Sequence, residues 1–122
     1  MRIKKIQLCN FGSYAGVCEF DLQANKKGNI VLIGGKNGAG KTTLFSGIKL
    51  CLYGNKAAGF ENINAHYRKE VKKYINDVSR FDISSKCYVK LDMLLPFHEK
   101  CTRCYLPKFS AYLYTQIDIH FL

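Results

Sequence analysis

Ile30-Val31-Leu32-Ile33-Gly34-Gly35-Lys36-Asn37-Gly38-Ala39-Gly40-Lys41-Thr42-Thr43 is the stretch on which the reading of this chain turns. It opens on a short apolar run, passes through a glycine-rich segment, and enters a stretch from Lys41 to Tyr53 whose apolar residues Leu44, Phe45, Ile48, Cys51 and Leu52 recur at helical spacing. Residues 35–42 satisfy G-x-x-x-x-G-K-T, and strand, glycine loop, helix is the context in which that pattern builds a phosphate-binding loop. The apolar run at 30–33 has no polar face, as in a strand buried on both sides of a covered sheet. Gly54 stands where a helix C-terminal cap is expected.

The chemistry follows from the residue types. A triphosphate with magnesium concentrates negative charge in a small volume. Gly35, Gly38 and Gly40 let the backbone, with Ala39 between them, wrap that charge and present successive N–H donors. The first turn of the helix adds its unpaired N–H groups and the positive end of its dipole. Lys41 is expected to reach the β- and γ-phosphates as a point charge, and Thr42 to supply a hydroxyl to magnesium. Thr43 is placed for another phosphate oxygen, with Lys36 and Asn37 as rim contacts. The expected ligand is therefore ATP or a related nucleotide with magnesium.

Cleavage demands more. It requires an acid that holds magnesium through water and a group that orients the attacking water. No run of four apolar residues followed by Asp occurs: Asp92 sits in an alternating stretch, and Asp118 follows Tyr114-Thr115-Gln116-Ile117. Ser46-Gly47 falls inside the expected helix and cannot serve as a signature loop. A GTPase would carry a base-selecting Asn-Lys-x-Asp, and Asn25-Lys26-Lys27 is followed by Gly28 instead. Binding without turnover is the expectation.

Around the loop, Ile3 to Cys9 and Val17 to Leu22 read as an antiparallel pair turning through Gly12 to Gly16. Tyr67, Val71, Tyr74, Ile75 and Val78 mark a second amphipathic helix, with Arg68, Lys69, Lys72 and Lys73 on a solvated face. Val89, Leu91, Met93 and Leu95 alternate with polar residues as a strand does, and so do Leu113, Thr115, Ile117, Ile119 and Phe121. All ten glycines lie at or before Gly59 and both prolines after it, which separates a glycine-punctuated nucleotide unit from a different second half.

Met1 to Phe11, followed by Ser13-Tyr14, resembles the opening of SMC-like ATPases of the SbcC and RecF type, in which an Asn-Phe pair ends the first strand. Residues 32–54, with Ile33-Gly34-Gly35 ahead of the loop and Leu52-Tyr53-Gly54 closing the helix, look still closer to DndD, the ATPase of bacterial DNA sulfur modification. The resemblance implies an α/β, P-loop NTPase fold: the lobe of an ABC-type head with a mixed β-sheet, incomplete here and spanning residues 1–95. It implies Mg-ATP, a DNA partner for the full-length protein, a head-to-head homodimer in which each head completes the other's site, a long coiled-coil insertion, and other DNA-modification proteins as partners. Gly12 stands where many relatives carry a basic residue that approaches the phosphates. Residues 96–122 match no part of the family, and the chain stops within a strand pattern, as a truncated or frameshifted gene would. An inactive remnant and a repair ATPase unconnected with sulfur are the alternatives.

Bulk properties fit a cytoplasmic nucleotide-binding unit. At 122 residues the chain is long enough for one core. No stretch approaches the ~18 apolar residues of a membrane span, and no signal peptide follows the basic start. A net charge of +10 suits polyphosphate or nucleic-acid partners. Of the six cysteines, Cys9, Cys18 and Cys51 fall in apolar-patterned segments and are expected in the core. Cys101 and Cys104, with His98 and Cys87, have spacing a metal could use, and a zinc-linked nucleic-acid module is the reading that would follow.

Overall fold

The computed structural model describes residues 1–24, 28, 30–62, 64–77, 81–82, 84–96, 100–105 and 113–116. Five strands, β1 (Arg2–Phe11), β2 (Tyr14–Asp21), β3 (Tyr88–Leu94), β4 (Lys100–Tyr105) and β5 (Leu113–Gln116), form one sheet in the order β2-β1-β3-β4-β5. Two helices, α1 (Lys41–Tyr53) and α2 (Ala65–Lys72), are joined by a 3₁₀ turn at Gly54–Ala58. No helix among the described residues is long and apolar enough to cross a membrane.

Register explains the core. Leu8 lies opposite Val89 and Ile6 opposite Leu91, so these apolar side chains share one face of the β1–β3 pair and are fully buried. The other face is polar. There Lys5 pairs with Glu19 at 3.1 Å, Tyr88 donates to Gln7 at 2.9 Å, and Thr102 donates to Asp92 at 2.9 Å. An antiparallel sheet with one dry face needs one layer of cover. α1 supplies it through Leu44, Leu50 and Cys51. Gly47 permits the close approach: a Cβ there would lie 3.2 Å from Leu8 and 3.4 Å from Phe11 and Val89.

The hairpin turn is tighter than expected, closing at Gly12-Ser13 with Phe11 opposite Tyr14. Asn10 makes this possible. It adopts φ 48°, a left-handed conformation that Asn tolerates better than most residues. Its side chain donates to Lys86 O and accepts from Gly16 N–H, both at 2.8 Å. Its carbonyl accepts from Asn76 N–H at 2.9 Å.

α2 begins where Asn64 accepts from Tyr67 N–H at 2.8 Å, a side-chain N-cap. It stops at Lys72, earlier than the periodicity through Val78 predicts; Val78 itself lies outside the described residues. The backbone beyond is drawn into the hairpin. Tyr74 O accepts from Gly12 N–H, Ile75 forms a bridge with Phe11, and the Phe11 and Tyr74 rings stack at 5.4 Å.

Two further expectations are corrected. Every described strand pairing is antiparallel rather than mixed. Residues 30–33 form no strand, with Ile30 and Leu32 80% and 91% exposed. A parallel sheet needs a strand returned beside that segment, and the described strands pair among themselves. Cys9 and Cys51 are buried as expected, joined by Cys87, while Cys18 is only half-buried. The β4 and β5 strands continue the sheet past residue 95; residues 117–122 lie outside the described residues.

Candidate functional site

The glycine loop runs from residue 34 into α1 and lies beneath the β1–β2 turn. Gly38 and Gly40 have φ 79° and 92°, a region closed to most side chains. At Gly40 the requirement is double, because a Cβ would lie 2.7 Å from the Tyr14 hydroxyl and 2.9 Å from Ser13 Oγ. Tyr14 donates its hydroxyl to Gly40 O at 3.0 Å, tying hairpin to loop. Burial pushes the Tyr14 phenol above its ordinary value, which keeps it a neutral donor.

Lys41 bends back across the loop, donating to Gly35 O and, at 2.9 Å, to Lys36 O. Ala39 N–H closes a turn on Lys36 O at 3.1 Å. Ala39 also packs against Gly35, where a Cβ would sit 3.3 Å from its methyl. The N-terminus of α1 has no side-chain cap and no acidic residue in its first turn. Its leading N–H groups therefore remain available to an anion.

These elements enclose a recess of about 270 Å3 lined by Ser13, Asn37, Gly38, Gly40, Lys41, Thr42 and Thr43. Of the residues expected from sequence, Asn37, Gly38, Gly40, Lys41, Thr42 and Thr43 are brought together at its wall. Gly35, Lys36 and Ala39 do not line the recess: the Gly35 and Lys36 carbonyls hold Lys41, and Ala39 packs against Gly35. Ser13 and Tyr14 escaped the reading of the loop, since nothing in local periodicity links them to a segment over twenty positions away. Their only signal is that they follow Asn10-Phe11 in the opening stretch. Gly12 packs on α1: a Cβ there would meet the Thr43 methyl at 2.3 Å, so no larger residue fits without a shift.

The donor set suits a polyphosphate. Backbone N–H groups, two threonine hydroxyls and one ammonium converge, and no carboxylate is among the lining residues. Among the described residues no three His, Cys, Asp or Glu side chains come close enough to hold a metal ion. The Cys101–Cys104 expectation falls mostly outside the described residues: His98 is not described, and both cysteine positions are in β4 without described side chains.

Comparison with known proteins places these features in a family. Over 71 residues the chain is 37% identical to the SbcC component of the nuclease SbcCD from Treponema pallidum (strain Nichols), a stretch covering 55% of this chain. It spans only 7% of the length of that relative. The family model described as AAA domain matches residues 5–103. A match of that extent takes in the hairpin, the glycine loop, both helices and most of the sheet, and the chain therefore belongs to the AAA domain family.

Proposed function

We propose that this chain is the ATP-binding N-terminal part of an SMC-like, SbcC-type ATPase acting in DNA repair, with residues 35–43 as its Mg-ATP site. The observation that carries the reading is the convergence of Lys41, Thr42, Thr43 and the uncapped α1 N-terminus on a recess shaped by Gly38 and Gly40, both at positive φ, with no room for a Cβ at Gly40. Lys41, now bonded to the carbonyls of its own loop, is the group to exchange those contacts for phosphate oxygens. The Thr42 hydroxyl would join the magnesium shell, Thr43 and Asn37 would meet phosphate oxygens, and the backbone of Gly38, Ala39 and Gly40 would donate N–H groups. Bound Mg-ATP supplies a phosphoanhydride whose cleavage can drive a larger machine.

The acid for that cleavage would come from further protein, and the signature loop from a second head closing on the first. DNA and other repair or modification proteins are the partners of such a machine. Its process could instead be DNA sulfur modification, the reading favoured by Ile33-Gly34-Gly35 and Leu52-Tyr53-Gly54. Loss of phosphorothioate from genomic DNA on deleting the gene would select that process, and unchanged phosphorothioate would select repair.

Lys41→Ala is the direct test. Calorimetric titration should show ATP binding abolished while circular dichroism shows the fold intact, because Lys41 is bonded only to loop carbonyls. Unchanged nucleotide affinity would overturn the assignment. No phosphate release is expected from this chain alone.

A further inference from the structure

The β1–β2 turn contributes Ser13 to the lining of the recess, beside Gly40, and the polar groups of the turn are nearly all engaged inside the protein. Gly12 N–H donates to Tyr74 O at 2.5 Å, and Gly12 O accepts from Asn76 Nδ2 at 2.7 Å. The Tyr14 hydroxyl is committed to Gly40 O. Asn10 holds Lys86 O and Gly16 N–H. The Ser13 hydroxyl is different. It is exposed, lines the recess, and makes no hydrogen bond to any described residue.

We propose that Ser13 is a phosphate-contacting residue of this site, its hydroxyl donating a hydrogen bond to the polyphosphate tail held by residues 35–43. The inference rests on the nucleotide reading above and adds a residue from outside the loop. A phosphoryl group directs its oxygens tetrahedrally, so the loop and the helix N-terminus do not reach every one of them, and Ser13 stands at the edge of the same recess. A serine hydroxyl is the donor that fits there. Ser13 Oγ lies close enough to the loop that a Cβ added to Gly40 would come within 2.9 Å of it.

The turn is also held rigidly before any ligand arrives. Phe11 stacks on Tyr74, Asn76 holds the Gly12 carbonyl, and Gly12 rests on the Thr43 methyl at the start of α1. A turn whose backbone is fixed in this way costs little entropy on binding. The same contacts explain why the turn carries glycine at 12 and offers its hydroxyl from 13.

The test is a magnesium-buffered titration of the chain with ATP and, separately, with inorganic tripolyphosphate, which has no base or sugar. Ser13→Ala should weaken both by the same factor, about tenfold, the loss for a hydrogen bond to a charged acceptor. Ser13→Thr keeps the hydroxyl and should stay within about twofold of the unsubstituted chain. The thermal midpoint of Ser13→Ala should not move, since the hydroxyl has no partner in the fold to lose. Unchanged affinity for both ligands in Ser13→Ala, with Lys41→Ala abolishing binding, overturns the Ser13 assignment and leaves the loop reading standing. A loss confined to ATP would put Ser13 against the nucleoside and overturns it equally. If the unsubstituted chain takes up neither ligand, the nucleotide reading fails and the inference falls with it.

Discussion

Ile6 and Leu8 of β1 are fully buried, whereas Ile30 and Leu32, in a run of the same aliphatic character, stand almost wholly in water. The two stretches differ in what the rest of the chain offers them. β1 has β2 on one side, β3 on the other, and α1 across its apolar face. Residues 30–33 have no strand beside them among the described residues. Aliphatic character states a demand for cover, and topology decides whether the same chain meets it. The contrast also locates the site: the recess lies between the covered hairpin and the loop that emerges from the uncovered run.

Substitutions in the two regions put that contrast to the test. Leu8→Ala empties a fully packed position and should cost about 2–5 kcal/mol, read as a shift in the denaturant midpoint. A cost near zero would mean that β1 is not docked on α1 in solution, as a remnant without a stable fold would behave. Gly47→Val pushes a branched side chain into the gap between α1 and the β1–β3 pair, where a bare Cβ is already tight. It should destabilise by about 1–3 kcal/mol; a neutral result would show that the helix can ride outward from the sheet. Leu32→Ser should change stability by less than about 0.5 kcal/mol. A larger loss there would reveal that residues 30–33 are covered in solution, by self-association or by more protein, and would erase the contrast.

Much of the candidate site was legible because its features are local. The spacing of Gly35, Gly38 and Gly40, the placement of Lys41 and Thr42, and the limits of α1 from Lys41 to Tyr53 follow from backbone geometry over a few residues. The β3 strand was equally readable from its alternation. The failures share a cause. The expected length of α2 assumed that helical periodicity would persist through Val78, but Tyr74, Ile75 and Asn76 bond to a hairpin more than sixty positions earlier. The strand expected at 30–33 assumed neighbours that the described sheet does not provide.

By itself the sequence determined a phosphate-binding pattern, a helix to follow it and a sheet of alternating strands, since each depends on short-range preference and periodicity. Only the tertiary structure decided that Ser13 and Tyr14 overlie the loop, that Asn10 takes a left-handed conformation to anchor their turn, and that Gly12 and Gly40 admit no side chain. Those outcomes depend on contacts between segments distant in the chain. Such contacts form only when burial of the β1, β3 and α1 faces has fixed where each segment lies, and local pattern carries no record of them.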